Sequence, residues 1–201
     1  MSSYPIPSVI EKTRLGERAV DIYSRLLSDR IVYLGTPIDD GVANVVIAQL
    51  LYLEAEGAES EINLYLNSAG GDPTAMLGIY DTMQFIRASV ATTCVGQAAG
   101  PAAVLLAAGA PGRRTVLPHA RVVLQQPGQG GTRGDVPDLQ VAAKEIGRLR
   151  EEMEAILATH TGRAVSQVHS DTERDRVLRA PEAVSYGLAD AVLDSRKLVT
   201  V

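Results

Sequence analysis

The chain has 201 residues, of which 46% are hydrophobic and 21% are charged, so it is long enough for one folded domain and unlike a disordered protein. Its 24 acidic and 19 basic side chains leave a formal net charge of −5, which argues against a surface for nucleic acid or anionic lipid. The single cysteine, Cys94, excludes an internal disulfide and a zinc site of several cysteines. There is no membrane-length apolar run and no signal-peptide core, so we expect a cytoplasmic protein without a membrane partner. We expect no metal and no cofactor.

Segments typical of strands alternate with segments typical of helices after a polar N-terminal arm. The patterns predict strands over residues 31–34, 62–66, 91–95, 116–117 and 122–124. They predict helices over residues 21–27, 39–56, 74–87, 101–108 and 138–161. Asp39 and Asp40 stand at the start of one helix, where carboxylates are favoured. The alternation implies βαβ units, in which helices cover a mainly parallel sheet.

A glycine-rich stretch, residues 125–137, precedes the longest predicted helix. Its four glycines favour a flexible loop or an irregular hairpin. The helix over residues 138–161 would be about 36 Å long at 1.5 Å per residue, which is more than a small α/β domain needs to cover its sheet. We therefore expect part of its apolar stripe to contact another chain.

Five stretches carry a family likeness. They are residues 67–71 (Asn-Ser-Ala-Gly-Gly), 96–103 (Gly-Gln-Ala-Ala-Gly-Pro-Ala-Ala), 117–127 (Leu-Pro-His to Gln-Gln-Pro), 171–176 (Asp-Thr-Glu-Arg-Asp-Arg) and 180–188 (Ala-Pro-Glu-Ala-Val-Ser-Tyr-Gly-Leu). With these motifs in this order, the chain resembles the proteolytic subunit of the Clp protease over nearly its whole length. The resemblance implies the α/β fold shared with crotonase-type enzymes. It also implies one domain, with an N-terminal arm (1–19), a head (20–124 and 162–195) and a protruding handle (125–161).

The resemblance assigns three positions of a catalytic triad. The serine position, at the start of the helix after the Gly-Gln-Ala-Ala turn, holds Gly100, which has no side chain to form a covalent intermediate. The general-base position holds Gln125, whose neutral amide cannot take up a proton near pH 7. The aspartate position is kept as Asp175. An orienting carboxylate without a base or a nucleophile has no catalytic task.

The oxyanion site that the resemblance implies is incomplete as well. The family uses two backbone N–H groups, which here belong to Gly71 and to Pro101, and proline has no N–H. Losing one such donor typically lowers the rate by roughly 10²–10³. The chain therefore lacks three separate parts of the machinery.

Other polar side chains are poor replacements for the lost groups. Ser68 lies in the glycine turn and is interpreted as structural. His119 lies six positions before the general-base position, roughly 20 Å along a continuous strand. His160 is interpreted as a cation at a helix C-terminus, His169 as a solvated side chain, and Cys94 as a small buried hydrophobe.

The resemblance also implies partners. The family forms a barrel of two stacked heptameric rings, capped by a hexameric AAA+ unfoldase that feeds in unfolded polypeptide. Tyr65 and Phe85 match positions that line the clefts where the unfoldase docks, with Tyr52 nearby. One docking position that is usually aromatic holds Asn63 here, and residues 4–7 match the segment that borders the axial pore.

The sequence therefore predicts a non-catalytic subunit of a Clp-type barrel, which contributes assembly, gating or unfoldase docking beside an active paralogue. Two alternatives stay open. One is an active Clp-type serine peptidase with a non-standard site. The other is a crotonase-like protein that binds acyl-CoA through the turn at Gly70 and Gly71.

Overall fold

A sheet covered by helices organises the structure, a computed structural model that describes residues 5–13, 16–127 and 134–194. The strands are β1 (Ser8–Thr13), β2 (Gly16–Asp21), β3 (Ile31–Leu34), β4 (Ile62–Ser68), β5 (Val90–Ala99), β6 (Arg114–Val116), β7 (Arg121–Leu124), β8 (Arg176–Arg179) and β9 (Ala191–Val192). The helices are α1 (Ile22–Ser28), α2 (Asp40–Glu56), α3 (Pro73–Phe85), α4 (Pro101–Ala107), α5 (Val136–Thr161), α6 (Val165–Thr172) and α7 (Ala180–Tyr186). The predicted α/β class is confirmed.

The main sheet is parallel except at one edge. Strands β3, β4, β5, β6 and β9 lie side by side in that order, all parallel. Strand β5 is ten residues long, so its first half pairs with β6 and its second half with β7. Strand β8 joins β7 in antiparallel register, with Leu124 opposite Arg176. The carboxyl ends of β5 and β7 therefore lie next to each other where α4 begins.

Helix α4 is buried along its whole length. Its small side chains, such as Ala102 and Ala103, let it pack closely against β5 and against α3 and α5. The predicted helix over residues 101–108 is confirmed. The helix start is thereby held rigidly at the end of β5, which positions the candidate site.

The observed elements differ from the predicted ones mainly near the termini. The described part of the polar arm forms the hairpin β1–β2, which the sequence pattern did not indicate because most of its described side chains are exposed. Strand β5 runs four residues beyond its predicted end, and α6, β8, α7 and β9 were not assigned from the sequence at all. Residues 1–4 and 128–133 lie outside the described residues, so the first residue of the predicted pore segment and the middle of the glycine-rich stretch are not addressed.

Helix α5 is longer than predicted, with 26 residues and a length of about 39 Å. It begins two residues earlier than expected because Pro137 suits the first helical turn, where its missing N–H needs no partner. Three apolar side chains near its start, Val136, Leu139 and Val141, are exposed in the single chain. In the described part of the chain, no helix is long and apolar enough to cross a membrane.

One buried arginine connects three helix ends. The Arg114 side chain is 11% exposed and pairs with the carboxylate of Asp190. Its Nη1 donates to the backbone oxygens of Ala107, His160 and Gly187, which lie at the C-terminal ends of α4, α5 and α7. A cation is favoured there because the unpaired carbonyls of a helix C-terminus carry partial negative charge.

Candidate functional site

The candidate site is centred on the turn between β5 and α4. Gly100 occupies that turn alone, with φ 48° and ψ −113°, and its N–H donates to the Val123 oxygen of β7 at 2.8 Å. Residues with a side chain rarely adopt this backbone conformation. The turn places residue 100 directly before the start of α4. The position offers no hydroxyl, thiol or other nucleophile.

Gln125 lies directly against Gly100. A Cβ built on Gly100 would be 2.9 Å from both Cγ and Nε2 of Gln125. Gln125 is half-buried and follows the last residue of β7. The neighbouring glutamine, Gln126, points elsewhere, since its Nε2 donates to the Glu173 oxygen at 2.9 Å.

Asp175 lies at the end of the paired strands β7 and β8 that also holds Gln125. Because Leu124 is opposite Arg176, the next residues outward on the two chains are Gln125 and Asp175. The Asp175 side chain is exposed, and no described residue donates a hydrogen bond to its carboxylate. The fold thus brings positions 100, 125 and 175 to one end of adjacent strands, but without a hydroxyl or an imidazole between them.

The two-glycine turn lies beside the start of α4. A Cβ on Gly70 would be 3.3 Å from Cδ of Pro101. Gly71 has φ 143°, and a Cβ there would be 2.1 Å from the Ile38 oxygen, so the close approach of the Ile38 backbone requires glycine. The Gly71 N–H donates to no described residue, whereas Pro101 has none to offer. The turn therefore presents a single backbone donor where the family resemblance implies two, as the sequence predicts from Pro101.

Ser68 and His119 are not placed for catalysis at this turn. The Ser68 hydroxyl is buried and donates to the Gly70 oxygen at 3.2 Å, so it holds the glycine turn, as predicted. His119 is exposed and precedes β7, so a whole strand separates it from the Gln125 end. Cys94 is 0% exposed, and burial raises the pKa of its thiol to about 11, which confirms an inert buried side chain.

The interpretation of His160 as a helix C-terminal cation was wrong. Its ring nitrogen Nε2 is 3.2 Å from the Tyr80 hydroxyl, and the two rings meet edge to face. Burial and the nearby positive charge of Arg114 both lower the pKa of His160, so the neutral ring is favoured. The sequence could not reveal that His160 is half-buried beside the Arg114 guanidinium. These two effects outweigh the attraction of the helix C-terminus for a positive charge.

A buried carboxylate cluster next to the site was missed by the sequence analysis. The Glu154 residue on α5 is 3% exposed and accepts hydrogen bonds from Arg150 Nε (2.7 Å), His169 Nδ1 (2.8 Å) and Thr172 Oγ1 (2.9 Å). Burial raises the pKa of Glu154, but these three donors outweigh it, and the net shift is downward. His169 is exposed, as interpreted from the sequence, but its ring also bonds to Glu154.

This cluster contains a hydroxyl, an imidazole and a carboxylate, but it is not a triad. Both the Thr172 hydroxyl and the His169 ring bond to Glu154, so the imidazole does not face the hydroxyl. Thr172 is also buried. The spacing of Arg150 and Glu154 on one helix face could have signalled an ion pair, whereas His169 and Thr172 join it only through the packing of α6 on α5.

The predicted docking residues lie on neighbouring elements. Phe85, the last residue of α3, is 80% exposed, and Tyr52 is exposed on α2, which packs against α3. Tyr65 and Asn63 share one face of β4, and Tyr65 is opposite Tyr33 of β3. An aromatic side chain as exposed as Phe85 is typical of a binding surface.

Among residues 5–13, 16–127 and 134–194, no three histidine, cysteine, aspartate or glutamate side chains are grouped to hold a metal ion.

The fold and the site together define an α/β protein. At the carboxyl end of its sheet it has a strand-to-helix turn of the kind that can present a nucleophile in other enzymes. Comparison with known proteins gives the family. The sequence profile described as Clp protease matches residues 14–196. The chain is 57% identical to the ATP-dependent Clp protease proteolytic subunit 2 of Streptomyces avermitilis, with both chains covered completely. It is 60% identical to the corresponding subunit 1 of Nocardia farcinica, over 98% of this chain and 100% of that protein. The chain belongs to the Clp protease family.

Proposed function

We propose that this chain is a non-catalytic subunit of a Clp-type ATP-dependent protease and assembles with an active paralogue in a barrel of two heptameric rings. The observation that carries the proposal is Gly100 at the strand-to-helix turn, because acyl transfer by this family's route needs a nucleophilic side chain there. Residue 100 lies where the nucleophile is expected, but glycine has no side chain that could attack a carbonyl.

Two further losses support the same conclusion. Gln125 stands against Gly100 where a general base is needed, and a carboxamide does not take up a proton near neutral pH. Pro101 follows without an N–H, a loss that by itself lowers the rate of such enzymes by roughly 10²–10³. Each loss removes a different step, so a neighbouring group that replaced one would not restore the others.

The surfaces that remain favour a role in assembly and docking. Phe85 and Tyr52 offer exposed aromatic rings for a hexameric AAA+ unfoldase. Val136, Leu139 and Val141 give α5 an apolar, exposed start that suits contact with another subunit. The subunit would thus contribute ring geometry, gating or unfoldase docking, while the active paralogue cleaves the unfolded polypeptide.

Labelling with a fluorophosphonate probe tests the loss of catalysis. The isolated chain is expected to stay unlabelled, and stoichiometric labelling would overturn the proposal. A matched variant restores the missing atoms, namely Gly100→Ser, Pro101→Ala and Gln125→His together, and is expected to gain labelling. If the folded triple variant stays unlabelled, the assignment of these three positions is wrong.

Native mass spectrometry tests the assembly. We expect mixed particles when the chain is combined with a catalytically competent paralogue, and no mixed particle under any mixing ratio would contradict the partner assignment. Hydrolysis of small fluorogenic peptides by the chain alone would support an active peptidase with a non-standard site. Thermal stabilisation by CoA thioesters would support the crotonase-like alternative, because a ligand that binds only the folded state raises its melting temperature.

A further inference from the structure

The contact between Gln125 and Gly100 has a consequence beyond the loss of a base. We infer that the Gln125 side chain closes the nucleophile position, so that residue 100 can carry an accessible side chain only when Gln125 is also replaced. The inference rests on the proposed function and deepens it. It makes the residues at positions 100 and 125 depend on each other.

The steric argument starts from Gly100. A Cβ there would be 2.9 Å from Cγ of Gln125, 2.9 Å from Nε2 and 3.2 Å from Cδ. Ordinary contacts between such atoms are about 3.5–4.0 Å, so each of these is too short. Because Cγ is among the close atoms, turning only the terminal amide does not relieve the contact. The whole side chain of Gln125 has to leave its position.

The other side of Gln125 leaves little room for that movement. Gln125 lines a cavity of about 10 Å³ together with Met153 and Leu157 of α5 and Thr172 of α6. A volume of this size is about enough for one water molecule. Met153, Leu157 and Thr172 are all buried, and Thr172 is held by Glu154. A retreat towards α5 and α6 is therefore blocked, and the proposed closure requires that the displaced side chain move outward over the turn.

Two consequences follow for the site. A hydroxyl introduced at position 100 is covered by Gln125. This obstruction is separate from the lack of a general base. Conversely, Gln125 keeps its place only because residue 100 has no Cβ. Replacing Gly100 alone leaves the turn covered, whereas replacing Gln125 alone uncovers a turn that has no reactive side chain.

The reactivity of a cysteine introduced at position 100 tests this closure without relying on peptidase activity. The rate of alkylation by N-ethylmaleimide is compared for Gly100→Cys, for Gly100→Cys with Gln125→Ala, and for Gly100→Cys with Gln126→Ala. The native Cys94 gives little background, because it is fully buried and its thiol has a pKa of about 11. Gln126→Ala is the matched control, since that side chain bonds to the Glu173 oxygen and not to the turn.

We expect Gln125→Ala to accelerate alkylation of Cys at position 100 by roughly tenfold, the factor that corresponds to displacing a packed side chain from its rotamer. Gln126→Ala is expected to leave the rate unchanged. Equal rates in the Gln125→Ala and Gln126→Ala backgrounds would overturn the inference.

A stability cycle keeps the inference testable if the cysteine variant does not fold. Melting temperatures are measured for Gly100→Ala, Gln125→Ala and the double variant. The backbone strain of a side chain at φ 48° occurs in both backgrounds and cancels, so the difference reports the Gln125 contact alone. We expect Gly100→Ala to lower the melting temperature less, by about 2–4 °C, when Gln125 is already alanine. Strictly additive shifts would contradict the closure, whereas fluorophosphonate labelling of the unmodified chain would contradict the proposed function instead.

Discussion

Replacing Arg114 by methionine is expected to destabilise the fold far more than the same change at its neighbour Arg113. Arg114 is nearly buried and holds the Asp190 carboxylate with Nε and Nη2 and three helix-end carbonyls with Nη1. Methionine fills much of the same volume but donates no hydrogen bond. The variant therefore leaves three helix ends and one carboxylate without their partner.

The size of the effect follows from the burial of the pair. Removing one partner of a buried ion pair costs about 3–5 kcal/mol. The Asp190 side chain is 24% exposed, so water solvates the remaining charge in part and the lower figure, about 3 kcal/mol, applies. For a chain of about 200 residues this corresponds to a fall of about 6–12 °C in melting temperature.

Arg113 provides the control on the adjacent residue. It pairs with Glu61, but its side chain is 58% exposed, and exposed ion pairs contribute little to stability. Arg113→Met is expected to lower the melting temperature by less than about 2 °C. Both variants are compared by calorimetry at one protein concentration, because assembly raises the melting temperature. Equal shifts for the two variants, or a shift below about 2 °C for Arg114→Met, would refute the reasoning.

Three further outcomes are expected. Phe85→Ala should weaken binding of an AAA+ unfoldase, measured by biolayer interferometry. It should change the melting temperature little, because this ring is 80% exposed. An unchanged affinity would contradict the docking role of Phe85. The native pKa of Glu154 lies below the usual 4.5, so the free energy of unfolding should fall as the pH drops below about 4.5, and this fall should be smaller in Glu154→Gln. The native pKa of His160 lies below the usual 6.5, so acidification below 6.5 should also destabilise the fold, and His160→Gln should remove that component from urea titrations.

The residues on which the proposed loss of catalysis rests can be read from the sequence alone. Glycine at position 100, glutamine at 125 and proline at 101 lack particular atoms in every conformation, so their chemistry can be read before any fold is known. Local elements were also predictable where a short pattern decides them. Asp39 caps α2 by accepting from the Val42 N–H at 2.8 Å, as its position before an apolar helix indicated.

Elements with weak local patterns were not predictable. The hairpin β1–β2 and strand β8 are largely exposed, so they show no clear alternation of apolar and polar residues. Their strand conformation comes from hydrogen bonds to a partner strand, and in β8 that partner, β7, lies more than fifty residues earlier in the chain. A single-sequence pattern carries no information about such pairing.

The residues at positions 100, 101 and 125 are thus read from the sequence, but their surroundings are decided by the fold. Gln125 covers Gly100 because β7 runs beside β5. His169 and Thr172 reach Glu154 because α6 packs on α5, and Arg114 meets three helix ends because those helices converge on β6. Side-chain identity and short-range spacing are local quantities, whereas burial, charge pairing and pKa shifts depend on groups brought together from distant parts of the chain.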